Sequence, residues 1–128
     1  MQIHQSAEDY LETILMLTQR MGKVRSIDVV NELGYTKASV SIAMKKLREN
    51  GYIAVDGEGN LTLLEPGREI AERIYSRHRL LTHFFVQLGV DEEVAAEDAC
   101  KAEHILSEQT LEKIREYALL HDAQDSVK

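Results

Sequence analysis

Apolar residues along the chain recur at helical spacing in several separate blocks. Tyr10, Leu11, Ile14, Leu15 and Leu17 form the first block, and their three-and-four spacing predicts an amphipathic helix. Ser6 before it is the expected N-cap, acidic Glu8 and Asp9 suit the first turn, and Met21-Gly22 is the expected end. Lys23-Val24-Arg25 then leads to Ser26, read as a second N-cap, with Ile27, Val30 and Leu33 as the buried stripe of a short helix. Gly34 just after that stripe is a C-cap signal. Thr36 is expected to cap a third helix running to about Asn50, with Val40, Ala43, Met44 and Leu47 on its apolar side. Two helices joined by a short glycine-containing turn, the second opening on small polar residues, make the helix-turn-helix pattern.

The period then changes. Tyr52-Ile53-Ala54-Val55 and Asn60-Leu61-Thr62-Leu63 read as two short strands, with Asp56-Gly57-Glu58-Gly59 as the hairpin turn between them. Helix-turn-helix plus hairpin predicts a winged helix. Pro66 near the start of the next block suits the first turn of a fourth helix, which can run unbroken to about Leu88 before Gly89. Asp91-Glu92-Glu93 opens a fifth helix expected to pass through Cys100 and His104, and Ser107 caps a sixth carrying Leu111, Ile114 and Ala118. Residues 123–128 have no apolar pattern and are expected to fray. The expected fold class is mainly α: a winged helix-turn-helix DNA-binding domain over residues 1–64, then an α-helical domain over 65–128. Leu80, Leu81, Phe84, Phe85, Leu111 and Ile114 exceed what a thin helical layer buries alone, so part of this surface is expected between subunits.

Composition narrows the classes. The chain has 128 residues, 44% of them hydrophobic, enough for a packed core. No apolar run approaches the roughly 20 residues of a membrane span, and Met1-Gln2-Ile3-His4-Gln5 has neither the basic nor the apolar segment of a signal peptide. A cytoplasmic protein with no membrane partner is expected, and its single cysteine cannot form an internal disulfide. The formal net charge of −7 argues at first against nucleic acid, but it is unevenly spread. Residues 65–128 hold 8 Lys/Arg against 14 Asp/Glu, whereas residues 1–64 hold 7 against 8. Between Lys37 and Arg48 four basic residues occur with no acidic one, a local face that can meet phosphate on an acidic protein. DNA contact is expected from Arg25, Ser26, Thr36, Lys37, Ala38, Ser39, Ser41, Ile42, Lys45 and Lys46. Small side chains such as Ser39 and Ser41 let a helix sit deep in the major groove, while the cations reach phosphates. Asp56 and Glu58 at the wing tip repel phosphate, so the wing is expected to add little affinity.

Cys100-Lys101-Ala102-Glu103-His104 concentrates metal-binding chemistry. On a helix Cys100, Glu103 and His104 share one face, and a thiolate, a carboxylate and an imidazole together can hold a divalent transition metal. One helix supplies part of a coordination shell, and Asp9, Glu12 and His78 are candidates to complete it. Each residue also has an ordinary reading: Asp9 completing a capping box with Ser6, Glu12 as a solvated helix residue, His78 as a surface histidine, Cys100 as small core. The metal reading prevails because it accounts for several separated segments at once.

At Cys100-x-x-Glu103-His104 the chain resembles the diphtheria toxin repressor family of metal-dependent transcription regulators, including its manganese-responsive branch. The resemblance covers residues 6 to about 120. It is carried by Ala7-Glu8-Asp9-Tyr10-Leu11-Glu12, the helix-turn-helix at 26–50, Arg77-His78-Arg79-Leu80-Leu81, Gly89-Val90-Asp91, and Cys100 to Ser107. It implies a short family member without the C-terminal β-barrel domain that longer members add, binding a palindromic DNA operator as a homodimer and controlling metal uptake genes. It implies Asp9, Glu12, His78, Cys100, Glu103 and His104 as metal ligands. Cys100 matches the iron-responsive branch and Asp9 the manganese-responsive one, so Fe(II) or Mn(II) is the implied cofactor, with Zn(II), Co(II) or Ni(II) able to substitute in vitro. The iron branch also has an auxiliary site that uses His78. Thr82 and Ala96 replace other ligands there, which leaves His83 and Glu97 as nearby substitutes. No enzyme activity and no small organic ligand are expected. The rival readings are a metal-independent winged-helix regulator and, more remotely, a small metal hydrolase using Glu103 as base.

Overall fold

The computed structural model describes residues 5–127, and the backbone alone at 5 and 123–127. His4 lies outside them, as do Met1 to Ile3 and Lys128. The side chains of the segment expected to fray are likewise outside the description. The described chain forms α1 (Gln5–Met21), β1 (Val24–Arg25), α2 (Ser26–Leu33), α3 (Lys37–Glu49), β2 (Ile53–Val55), β3 (Asn60–Leu63), α4 (Glu65–Gln87), α5 (Glu92–Ala102) and α6 (Glu108–Val127). Two compact units divide this order within α4, between Arg73 and Ile74.

The first unit is a winged helix. Leu11, Ile14 and Leu17 from α1, Val29 from α2, and Val40, Met44 and Leu47 from α3 are buried together with Val24, Ile53, Leu61 and Leu63 from the strands. Several details differ from the sequence reading. The buried residue of α2 is Val29, while Ile27 is 43% exposed; on eight residues, the direction of the core is set by the neighbours rather than by apolar spacing. The N-cap is Arg25, not Ser26, because the Arg25 backbone N–H is bonded to Asp28 Oδ2 at 2.9 Å. Ser6 likewise lies inside α1, one residue past its start.

Gly34 ends α2 in the left-handed conformation (φ 71°), with its N–H bonded to the Val30 carbonyl. Thr36 Oγ1 accepts the Ser39 N–H at 3.1 Å and so caps α3 as expected. The sheet order is β1-β3-β2, antiparallel throughout, with Val24 opposite Leu61 and Val55 also opposite Leu61 on the other side. β1, two residues long, was not anticipated. Pairing along β3 brings Arg25 opposite Asn60, beside the wing turn.

Gly67, in the first turn of α4, is a packing requirement of this unit. A Cβ there would stand 2.2 Å from the Tyr52 carbonyl oxygen, which already accepts the Leu64 N–H at 3.0 Å.

The second unit comprises the rest of α4 with α5 and α6. Leu81, Ala99 and Leu111 form its buried cluster, with Leu80, Phe85, Ala102, Leu106 and Ile114 packed against it. Ser107 caps α6, its Oγ accepting the Thr110 N–H at 3.1 Å. α5 ends at Ala102, two residues earlier than the sequence spacing predicts. Glu103 is its C-cap, still in the right-handed helical conformation, and residues 103–105 form the turn that follows. No helix of the described residues is long and apolar enough to cross a membrane.

Candidate nucleic-acid interface and metal centre

The exposed side of α3 follows from the burial of the other side. With Val40, Met44 and Leu47 in the core, Lys37, Ala38, Ser39, Ser41, Ile42, Lys45 and Lys46 are all exposed, as is Thr36 before them. Ile42 is 57% exposed, an apolar side chain amid small and basic ones; such a contact suits a thymine methyl. Thr36 and Ser39 are tied to each other through Oγ1 and Oγ at 2.9 Å, so the start of the helix presents a rigid polar edge.

The wing carries its own charge arrangement. Asp56 Oδ1 accepts the backbone N–H groups of Glu58 and Asn60, each at 2.9 Å, and Oδ2 accepts from Asn60 Nδ2 at 3.0 Å. The Asn60 bonds, backbone first, hold the Asp56 carboxyl below its usual range. The Asp56 carboxylate therefore organises the turn. Arg25, exposed, donates from Nη2 to the Glu58 carbonyl, which sets a cation against the acidic tip. Ser26, in contrast, is half-buried at the start of α2.

On α1, Asp9 and Glu12 lie three residues apart on one helix face. Asp9 is half-buried, and Glu12 is buried within a run of core residues. A carboxylate in such a run costs free energy unless a cation or donors meet it. Tyr10 between them packs edge-on against Tyr35 of the helix-turn-helix turn, with ring centroids 5.9 Å apart. Burial, followed by the nearby Tyr35 and Asp9, raises the Tyr10 phenol above its ordinary value.

In the second unit three of the candidate ligands converge. Glu103 is fully buried. His78 Nδ1, from α4, lies 3.2 Å from Glu103 Oε2, and His104 Nε2 lies 3.4 Å from Oε1. Cys100 Sγ and a Glu103 carboxylate oxygen are within 4.8 Å of each other, although Cys100 as a whole is exposed. Both Glu103 oxygens lack a hydrogen-bond donor among the described residues. A carboxylate in that condition is expensive, and imidazole nitrogens facing each oxygen, with a thiol nearby, are a donor set a divalent transition metal satisfies. The residues present fit such an ion.

The auxiliary pair fares differently. His83 Nε2 lies 2.8 Å from Asp122 Oδ1 on α6, and Gln87 Nε2 donates to the same oxygen at 2.8 Å. Glu97 is exposed on α5, and no cluster of potential ligands among the described residues contains His83 or Glu97. Sequence reasoning also passed over Arg77. Its guanidinium donates from Nη1 to the Glu103 carbonyl at 3.4 Å and pairs with the Glu108 carboxylate. Its place directly before His78 was the available signal.

Comparison with known proteins accords with this geometry. The profile for the iron dependent repressor N-terminal DNA binding domain matches residues 2–61, and that for the iron dependent repressor metal binding and dimerisation domain matches residues 64–120. An uncharacterized HTH-type transcriptional regulator of Methanocaldococcus jannaschii is 36% identical over 113 residues, which is 87% of this chain and 90% of the relative. The HTH-type transcriptional regulator MntR of Bacillus subtilis is 32% identical over 123 residues, covering 96% of this chain and 87% of the relative. A solved manganese-dependent transcriptional repressor in complex with manganese superposes with a TM-score of 0.80 at 29% identity, over 88% of this chain and 52% of that one. This chain thus spans about half the length of that solved repressor. The chain belongs to the iron-dependent repressor family of metal-dependent transcriptional regulators, with a DNA-binding domain followed by a metal-binding and dimerisation domain.

Proposed function

We propose that this chain is a cytoplasmic repressor activated by Fe(II) or Mn(II), acting as a homodimer on a palindromic operator and not as an enzyme. Residues 1–64 form the DNA-binding domain in this reading, and residues 65–128 dimerise and bind metal. The observation that carries it is the buried Glu103 carboxylate, faced by His78 and His104 and lacking hydrogen-bond donors. Asp9, Glu12, His78, Cys100, Glu103 and His104 would hold the ion, which when bound supplies positive charge beside this buried carboxylate. The ligands draw on both ends of the chain. Their occupancy therefore shifts the protein towards whichever arrangement brings all six donors into reach, and only differential affinity for that arrangement can do so. α3 enters the major groove with Ser39 and Ser41 against the bases, Ile42 beside them, and Lys37, Lys45 and Lys46 at phosphates. Two-fold symmetry sets the two reading helices about one turn of DNA apart. Arg25 acts at the wing rather than on the bases.

The donor set also bears on the choice of metal. The Cys100 thiolate biases the centre towards Fe(II), Co(II) or Zn(II), and the carboxylates admit Mn(II). The test begins with duplexes selected from a random-sequence pool by the metal-loaded protein. Their binding is then titrated anaerobically with Fe(II), Mn(II) and Zn(II), beside chelator. Binding that rises with metal and collapses in chelator is expected, and Cys100→Glu should shift the preference towards Mn(II). Full binding in chelator would favour the metal-independent regulator instead.

A further inference from the structure

Glu103 is approached from two directions by consecutive residues of α4. His78 faces its carboxylate. Arg77 reaches its backbone carbonyl. The last carbonyls of a helix have no intrahelical partner, and Glu103 is the C-cap of α5, its N–H still bonded to the Ala99 carbonyl at 3.0 Å. A cation at that end is favoured by the helix dipole as well as by the free carbonyl. The same guanidinium pairs with Glu108, in the acidic first turn of α6. One largely buried side chain, 15% exposed, thus ties the end of α5 to the beginning of α6 across the turn that carries Glu103 and His104.

We propose that Arg77 is a positioning residue of the metal centre, holding the Glu103–His104 turn so that both side chains are presented before any ion arrives. This rests on the metal-centre reading above. Its physical content is preorganisation: without Arg77 the turn must be ordered at the expense of binding free energy. A planar guanidinium can bond the carbonyl and the carboxylate at once from different nitrogens, whereas an ammonium offers one charge centre. The effect should therefore be graded by side chain.

The test measures Mn(II) affinity of the full chain by competition with a fluorescent chelator, for wild type, Arg77→Gln, Arg77→Lys, Glu108→Gln and His78→Ala. Amide hydrogen exchange is followed on the metal-free proteins. Groups that orient metal ligands typically contribute about 10–100-fold to affinity, and Arg77→Gln is expected in that range. Arg77→Lys should fall between it and wild type, and Glu108→Gln should lose less. Exchange in metal-free Arg77→Gln should quicken at residues 103–107 while α1 to α3 keep their protection. Wild-type affinity in Arg77→Gln would overturn the inference alone. Protection lost throughout the chain in both Arg77 variants would reduce Arg77 to a general stabiliser and overturn it as well. Equal Mn(II) binding by wild type and His78→Ala would overturn the metal-centre reading and this inference with it.

Discussion

The exposed face of α3 and the surroundings of Glu103 are both polar, and they are built in opposite ways. On α3 the polar residues are exposed, the helix is closed by local bonds from Thr36 and Asn50, and each side chain can be changed without disturbing the core. Around Glu103 the polar atoms are buried and held by residues 25 and 26 positions away in sequence. The first is an adaptable surface on a rigid frame, where specificity can change cheaply. The second is a buried carboxyl group facing two imidazoles, where a bound cation would offset the cost of burying the charge.

The sharpest way to separate the two is a charge on the exposed face. Ser41→Glu sets a carboxylate where a base edge or phosphate is expected. Specific operator binding should fall towards the non-specific level, a loss of about 1,000-fold or more. Because Ser41 is exposed, stability should stay within about 0.5 kcal/mol. Gel shift and urea denaturation on the same preparation read both, and retained specific binding would remove α3 as the reader.

The converse experiment neutralises the buried group. Glu103→Gln keeps the shape and removes the charge, so Mn(II) affinity should drop by more than about 100-fold, beyond what loss of a merely orienting group costs. The metal-free protein should be no less stable than wild type, since a buried charge has been exchanged for a neutral amide. A variant that melts well below wild type while binding Mn(II) normally would make Glu103 a structural residue.

The smallest expected effect lies at the start of α4. Gly67→Ala forces a Cβ onto the Tyr52 carbonyl, and overpacking against backbone costs about 1–3 kcal/mol. Gly57→Ala, in the open wing turn with nothing within 4 Å of the new Cβ, should be nearly neutral. If equilibrium unfolding finds the two alike, α4 yields where the packing says it cannot.

Much of this was legible beforehand because the signals are local. Periodic apolar positions located all six helices, and Gly34, Thr36 and Ser107 punctuated them as expected, since cap bonds join residues three or four apart. The turn residues of Asp56–Gly59 likewise announced the hairpin. Resemblance in several ordered blocks led to His78, Glu103 and His104, three candidate ligands that the fold of the second unit brings together.

The chain by itself therefore determined which segments are helical, where they stop, which side of α3 stays wet and which residue types could meet a metal. All of these depend on spacings within a single element. Only the tertiary structure decided that Val29 rather than Ile27 faces the core, that two residues before α2 become a strand beside the wing, that Gly67 admits no side chain, and that Arg77 grips the carbonyl of Glu103. Each of these depends on a partner distant in sequence. The free energy of such a contact comes from excluding water and filling space between elements, and no period along the chain records it.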